Sequence, residues 1–420
     1  MLAPALVFLG PALLILVALV VYPIVATVIF SFQDRTGDGF VGLANYREML
    51  TNSRILTAIR NNVIWVLVVP PVVTGIGLVF AVLTERITFG RAFKTIVFMP
   101  MAISLVAGGV IWRVVYEDDP DKGLLNAGVR AVGAIFSAPG AYVGAGPSEG
   151  LREDEGALVL ADPVPAGSTV EIGLLRLGAS DIPEGARPAS VTQPADGAIS
   201  GAVFRDFTPG EEGTRGELDA GEIGLPGVAV ELRDAAGEVV ARSTTDERGR
   251  FDVPSLPPGS YQVGLAASNF RAPFSGIEWL GPALVTPAII AAYTWIWAGF
   301  AMVVIAAGLA AIPREVLEAA RVDGAKEWQT FRYITVPLLA PVIAVVLITL
   351  VIYVLKVFDI VLVIAPSNVQ DDANVIALEM YQTAFGARNL GLGSAVAVLL
   401  FLLVVPFMAI NIRRFRAEQG

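Results

Sequence analysis

The chain has 420 residues, 55% of them hydrophobic and 16% charged, with a net charge of −10 and neither cysteine nor histidine. Without cysteine there are no disulfides, thiolate nucleophiles or Cys-ligated metals; without histidine there is no imidazole base and none of the common zinc constellations. The charge is unevenly placed: 26 acidic and 12 basic residues lie between Glu117 and Glu278, against 13 and 17 elsewhere, and no basic stripe exists to meet nucleic-acid phosphates.

Soluble domains carry about 25% charged residues, so the composition points to a membrane. Six stretches lack charge over lengths suited to about 30 Å of hydrocarbon, which takes roughly 17–25 helical residues. They are Leu2–Phe32, Asn61–Thr84, Thr95–Trp112, Leu280–Ile312, Ile334–Leu355 and Asn389–Ile412. The first has no basic n-region and is too long for a signal-peptide core. A soluble bundle of buried helices is the alternative, and six such runs without polar faces count against it. Basic residues in the short loops set the orientation. Arg86, Arg91, Lys94, Arg314, Arg321, Lys326, Arg332, Arg413, Arg414 and Arg416 fall on one side. Only Arg35, Arg47, Arg54, Arg60 and Arg388 fall on the other. Both termini are therefore expected inside, in a multi-pass protein of a bacterial inner membrane.

From about Ala138 to Arg271 the chain becomes rich in Pro, Gly, Asp and Glu, and helical periodicity stops. This divides it into 1–137, an extracytoplasmic β-rich insert at 138–271, and 272–420. Strands are expected at Ala198–Phe204, Val228–Arg233, Val239–Thr244, Gly249–Val253 and Tyr261–Leu265, with tight turns at Asp234–Gly237 and Asp246–Gly249. Residues Ser148–Pro194 alternate weakly, as in Ser168–Leu175, and read either as a second β element or as a linker. The runs Gly201–Asp206, Leu225–Val228 and Gly249–Tyr261 resemble the small Ig-like repeat of Gram-positive surface proteins, the Cna-B or SdrD-B type. That resemblance implies a sandwich over about 197–265. Some relatives bind calcium after the first strand, and Asp206, Asp219 and Glu222 are the matching oxygen donors. The loop Thr208–Gly216 departs from the alternating Asp/Asn pattern of that site, so an acidic solvated turn is the stronger alternative.

The segment Pro313–Pro341 reads as a hairpin. Pro313 suits a first helical turn, and Gly324 permits a sharp reversal. A second helix is expected over Ala325–Ile334 and is stopped by Pro337. Trp328 and Phe331 are expected to pin the hairpin on its own membrane domain. Glu318, Ala319, Ala320, Asp323 and Gly324, with Ile334 and Pro337 beyond, resemble the EAA loop of binding-protein-dependent ABC importer permeases. Further resemblance to the sugar-permease branch lies in Tyr22–Pro23, Gly42–Tyr46, Asn61–Asn62 and Met99–Pro100. The runs Arg35–Leu43, Phe98–Ser104 and Leu355–Asp359 resemble the α-glucoside permeases.

The resemblance implies a mostly α fold: a six-helix transmembrane ABC-importer permease domain with an all-β Ig-like sandwich inserted on its outer face. It also implies a second permease subunit, two cytoplasmic ATPase subunits docking on the EAA loop, and an external solute-binding protein. No Gly-x-x-x-x-Gly-Lys-Ser/Thr loop exists here, so ATP and its magnesium belong to a partner and this subunit carries no cofactor of its own. Sugar-branch relatives start with a basic segment, which leaves a shortened amino end expected here. The β insert is not expected as a general family feature. Inside the spans, Lys356 and Asp359 are three apart on one expected helical face. They read as a solute-path element or as a structural ion pair. Asn62, Trp65, Tyr353 and Tyr381 suit sugar rings or, for the aromatics, interfacial anchoring. A secondary transporter and a membrane-anchored surface-binding protein are the competing readings; neither explains the helix–Gly–helix loop on six spans.

Overall fold

A computed structural model describes residues 2–85, 89–136, 138–207 and 213–417, and places Arg86 outside the described set. The chain forms two compact units: unit 1 is Met1–Asp118 with Glu278–Gly420, and unit 2 is Asp119–Ile277. Unit 2 is therefore wider at both ends than the expected 138–271.

Unit 1 is helical. Its elements are α1 (Leu2–Leu16), α2 (Tyr22–Phe30), α3 (Ala44–Met49), α4 (Ser53–Glu85), α5 (Gly90–Phe98) and α6 (Leu105–Val115) before unit 2. After it come α8 (Val285–Ala310), α9 (Arg314–Val322), α10 (Glu327–Thr330), α11 (Val336–Leu355), α12 (Asp359–Ile364), α13 (Ile376–Tyr381) and α14 (Leu390–Ala417). Among the described residues five helices are long and apolar enough to cross a membrane, or six if the bent pair α5–α6 forms one span. The third span is thus not the straight helix expected over Thr95–Trp112. Its axis turns by 101°, because Ile103 is extended and Ser104 caps a new helix by accepting the Ala107 amide at 3.1 Å.

The second span starts eight residues before the expected Asn61. Asn52 caps α4 through the Arg54 and Ile55 amides, and the 33-residue helix is about 50 Å long. Arg54 and Arg60 then occupy its polar first turns. α4 and α8 pack at their closest where small residues meet. A Cβ on Gly77 would lie 2.5 Å from Ala301 Cβ and 2.8 Å from Met302 N, so glycine sets the approach.

Unit 2 opens with α7 (Leu124–Phe136) and, among the described residues, then holds ten strands: β1 (Gly146–Pro147), β2 (Leu151–Asp154), β3 (Ala157–Leu160), β4 (Val164–Pro165), β5 (Thr169–Leu175), β6 (Ile199–Arg205), β7 (Ala229–Arg233), β8 (Val239–Thr244), β9 (Arg250–Val253) and β10 (Ser260–Leu265). One sheet runs β1-β5-β6-β9; the other runs β2-β3-β10-β7-β8, with β4 also on β10. The five expected strands agree within a residue or so with β6 to β10. The undecided stretch Ser148–Pro194 is no linker: it supplies strands to both sheets. β5 pairs with β6 in parallel, which the crossover of residues 176–198 makes feasible. Both sheets share one core, including Leu158, Ile172, Leu174, Val203, Leu232, Phe251, Val263 and Leu265. Turn chemistry follows the sequence: Asp234 accepts the Ala236 and Glu238 amides, and Asp246 accepts those of Arg248 and Arg250.

Candidate functional site

The Pro313–Pro341 segment folds as a hairpin whose tip projects from unit 1. α9 ends at Asp323, and Gly324 reverses the chain at φ +78°, with nothing within 4 Å of the position a Cβ would take. Glu318, Ala319, Asp323 and Gly324 are exposed, and Ala320 is buried. Val322 is 87% and Trp328 69% exposed. Trp328 therefore does not pin the hairpin on its own domain as expected. Its ring lies tilted against half-buried Phe331 at 5.6 Å, and both rings remain available to another surface.

The second helix also differs from expectation. α10 runs through a π-turn at Phe331–Thr335 straight into α11, so Pro337 does not stop it and the helix spans Glu327–Leu355. Within the π-turn the Val336 amide reaches back to the Phe331 carbonyl. This register shift, directly before Pro337, accommodates the missing proline donor. The second arm of the hairpin and α11 therefore form one continuous rod.

At the other end of that rod, α11 stops at Leu355. Lys356 and Asp359 do not share a helical face: Lys356 is a C-cap, Phe358 is non-helical at φ −145°, and Asp359 starts α12. Among the described residues no ion pair joins them. Both are exposed, and Lys356 Nζ lies 5.7 Å over the Tyr353 ring. Tyr353, 45% exposed, is the outer member of an aromatic ladder. It stands 4.7 Å from Trp297, which stacks at 5.8 Å on Tyr293, itself edge-on to Trp65 at 5.3 Å. The indole nitrogens of Trp65 and Trp297 are buried without acceptors. Trp65 is fully buried, so it is neither an interfacial anchor nor a wall of an open path. Tyr381 is 45% exposed and forms a second aromatic group with Phe358 and Phe385 at 5.3 and 5.4 Å.

Asn62 is 2% exposed, and its amide is spent inside the fold. It accepts the Ile376 N–H at 2.6 Å and donates to the Leu355 carbonyl at 3.4 Å. Asn61 donates to the carbonyls of Asp372 and Asn374. Sequence reasoning missed the partner of this grip. Glu379 is 4% exposed and accepts from Asn374 Nδ2 at 2.5 Å and Thr383 Oγ1 at 3.0 Å, with Arg54 Nε at 3.5 Å. Arg54 also meets Asp371 at 3.1 Å and Gln382 at 2.5 Å. Tyr381 sits between Glu379 and Thr383, so the clamp fixes its direction. The available signal was a carboxylate set in the apolar run Val375–Met380.

In unit 2 the expected calcium donors are engaged with protein. Asp206 accepts from Ser148 Oγ and from the Gly216 amide at 2.8 Å. Glu222 accepts the Phe207 and Asp219 amides, and Asp219 accepts that of Thr214. Among the described residues no group of three acidic side chains could hold a metal; Glu211 and Glu212 lie outside the described set. Burial pushes the Glu222 carboxyl up, against the two amide bonds that pull it down.

Residues 254–414 match the family described as binding-protein-dependent transport system inner membrane component, and residues 199–274 match the SdrD B-like domain. The overlap at 254–274 falls within unit 2, where β10 lies. An osmoprotective compounds uptake permease protein of Synechocystis sp. is 31% identical over 98% of this chain and 99% of its own. An alpha-glucoside transport system permease protein of Rhizobium meliloti is 32% identical over 98% and 82%. These two alignments run through unit 2, whereas a trehalose/maltose transport system permease protein of Thermococcus litoralis matches over only 34% of this chain. A crystal structure of a bacterial ABC transporter for import of the acidic polysaccharide alginate has a chain that superposes with a TM-score of 0.57, at 14% identity, over 97% of this chain and 94% of that one. The last match shows the shared fold; with the family match and the full-length relatives, it establishes that this chain belongs to the membrane-spanning permease components of binding-protein-dependent ABC importers, a transport subunit rather than an enzyme.

Proposed function

We propose that this chain forms half of the translocation pathway of an ATP-driven carbohydrate importer, taking α-glucosides or related oligosaccharides, and that its hairpin at residues 313–341 receives the force. Relatives named for alpha-glucoside and for trehalose/maltose transport support the substrate class. In this reading a second permease completes the pathway, and two cytoplasmic ATPases bind the hairpin. A soluble solute-binding protein delivers the sugar, as in a solved alginate ABC transporter held with its oligosaccharide-bound periplasmic protein. Both termini lie inside, the bent α5–α6 pair counts as the sixth span, and unit 2 is an outward two-sheet sandwich. Calcium in unit 2 is not part of this reading, because its donors are already satisfied by amides.

The carrying observation is the exposed tip. Glu318, Ala319, Asp323 and Gly324 face solvent on a turn that only glycine makes without strain, at the head of a helix 29 residues long. Small exposed residues let a partner's groove close on the turn. The motion then reaches Tyr353 and Lys356, where the rod ends. We assign Tyr353, Lys356, Asp359 and Tyr381 to the sugar path, since exposed aromatic faces beside charged hydrogen-bonding groups suit pyranose rings. Asn62 is removed from that path and acts as a brace.

A cysteine introduced at Glu318 is expected to cross-link to the ATPase subunit in intact membranes, on a chain that has no cysteine of its own. Gly324→Trp is expected to lower sugar uptake and uptake-coupled ATP hydrolysis at least about tenfold, equivalent to ~1.4 kcal/mol of coupling, with normal membrane insertion. Wild-type uptake by Gly324→Trp, or no nucleotide-hydrolysing neighbour at position 318, would overturn the proposal.

A further inference from the structure

The connection that opens unit 2 carries a helix that transport, as described so far, does not use. α7 holds 13 residues, and every described side chain from Gly128 to Ile135 is exposed. At about 100° per residue, Leu124, Gly128, Ala131, Val132 and Ile135 fall on one arc of about 100°. Leu124, Val132 and Ile135 are 68%, 58% and 77% exposed. Asn126 and Arg130 lie on the other side, and Arg130 pairs with Asp121 at 2.7 Å. A free-standing helix of this length is marginal in water, so the apolar stripe needs a cover.

Chain connectivity, aromatic placement and charge select that cover. Asn126 holds both backbone groups of Ile277, accepting its N–H at 2.9 Å and donating to its carbonyl at 3.0 Å. The first turn of α7 is therefore tied to a point eight residues before α8. Leu124 itself follows the end of α6 by nine residues. Even fully extended, such links reach only about 30 Å, and turns at Asp119–Gly123 and Glu278–Val285 shorten both. Beside these links a chain of ring contacts at 5.1–6.3 Å joins Trp279, Tyr116 and Trp112 to Trp295, ten residues into α8. Tryptophan and tyrosine gather in this way at the boundary between lipid and water. The stripe bears no ionisable group, and the sole cation of the helix is on its far side and already paired.

The geometry points to α7 as an interfacial helix whose Leu124, Val132 and Ile135 face sinks into the lipid headgroup boundary, while Asn126 transmits that hold to the segment leaving unit 2. Its occupant is a lipid surface, by the chemistry that seats amphipathic helices in the interface plane. This anchors the water-exposed unit without adding a span.

The absence of cysteine makes the test direct. Single cysteines at Val132, Ile135, Gly133 and Ala134 are nitroxide-labelled in the whole importer in lipid nanodiscs, with the unsubstituted complex, treated alike, as the blank. At 132 and 135, collision with oxygen is expected to exceed collision with a water-soluble nickel chelate several-fold, and the ratio is expected to reverse at 133 and 134. Equal nickel access at all four positions would place the helix in water and overturn the inference. Protection of 132 and 135 from both reagents would show a protein surface over the stripe and overturn it equally. Each substitution is at an exposed position, and assembly is checked by co-purification before the measurement.

Discussion

Buried polar atoms behave differently in the two units. In unit 2, Thr245 Oγ1 donates to the Leu225 carbonyl at 2.6 Å and accepts the Val228 N–H at 2.8 Å. Asn269 holds both backbone groups of Ala229, and Glu222 is amide-bonded at both oxygens. In unit 1, Trp65 Nε1, Thr74 Oγ1, Trp112 Nε1, Thr294 Oγ1, Trp297 Nε1 and Asn374 Oδ1 are buried without partners, and among the described residues every such atom lies in this unit. An unsatisfied buried polar group costs about 1–3 kcal/mol. Unit 2 is thus self-sufficient, with a closed core and saturated hydrogen bonds. Unit 1 leaves such atoms unpartnered along α4 and α8, and its first apolar stretch, Leu9–Phe30, stands exposed.

Three substitutions probe that contrast. Arg54→Ala strikes the one dense polar clamp of unit 1 and leaves buried Glu379 with neutral donors only. Breaking a buried pair costs about 3–5 kcal/mol, and the half-exposed guanidinium brings the expected loss to roughly 2–3 kcal/mol, read as a lower denaturation midpoint of the purified subunit. No change would mean that the clamp is ornamental to the fold. Next in size, Thr245→Val is expected to destabilise unit 2 by about 1–3 kcal/mol, because it orphans an amide and a carbonyl. Thr294→Val removes only an unpartnered hydroxyl and is expected to be neutral or stabilising, by up to about 1–3 kcal/mol. Equal losses from the two threonines would erase the distinction between the units.

The smallest effect concerns pH. Burial raises the folded pKa of the Glu222 carboxyl above its ordinary value of 4.5. The native state therefore keeps a proton that the unfolded chain releases. This group's contribution is present in full below 4.5 and declines as pH rises through the folded value. Melting of unit 2 between pH 4 and 7, compared with Glu222→Gln, is expected to show that slope in the wild type and a flatter one in the variant. A steeper slope in the variant would contradict the assignment.

Much of the site was legible because local chemistry fixes it. Asp323 and Gly324 mark a turn in any context, and Asp234 and Asp246 close theirs through their own neighbouring amides. Lys356 and Asp359 were misplaced because helical periodicity assumes a continuous helix, and the chain breaks at Phe358. Trp328 was misassigned because an exposed tryptophan looks, in sequence, like one that packs on its own domain. The Arg54–Glu379 clamp joins residues more than three hundred positions apart, and no local pattern reports such a pair.

Composition and pattern alone determined a membrane chain with six apolar runs separated by loops, an acidic β-rich middle, and a helix–glycine–helix hairpin. Those features depend on hydrophobicity, charge and backbone freedom, which neighbouring residues carry without help. Tertiary structure alone decided that the α5–α6 pair bends by 101°, that strands from Ser148–Pro194 complete both sheets, and that the Asn62 amide bonds the backbone of Ile376 and Leu355. Each depends on which distant backbone groups meet, since a buried amide or carboxylate takes its role from the donors packing brings within about 3 Å.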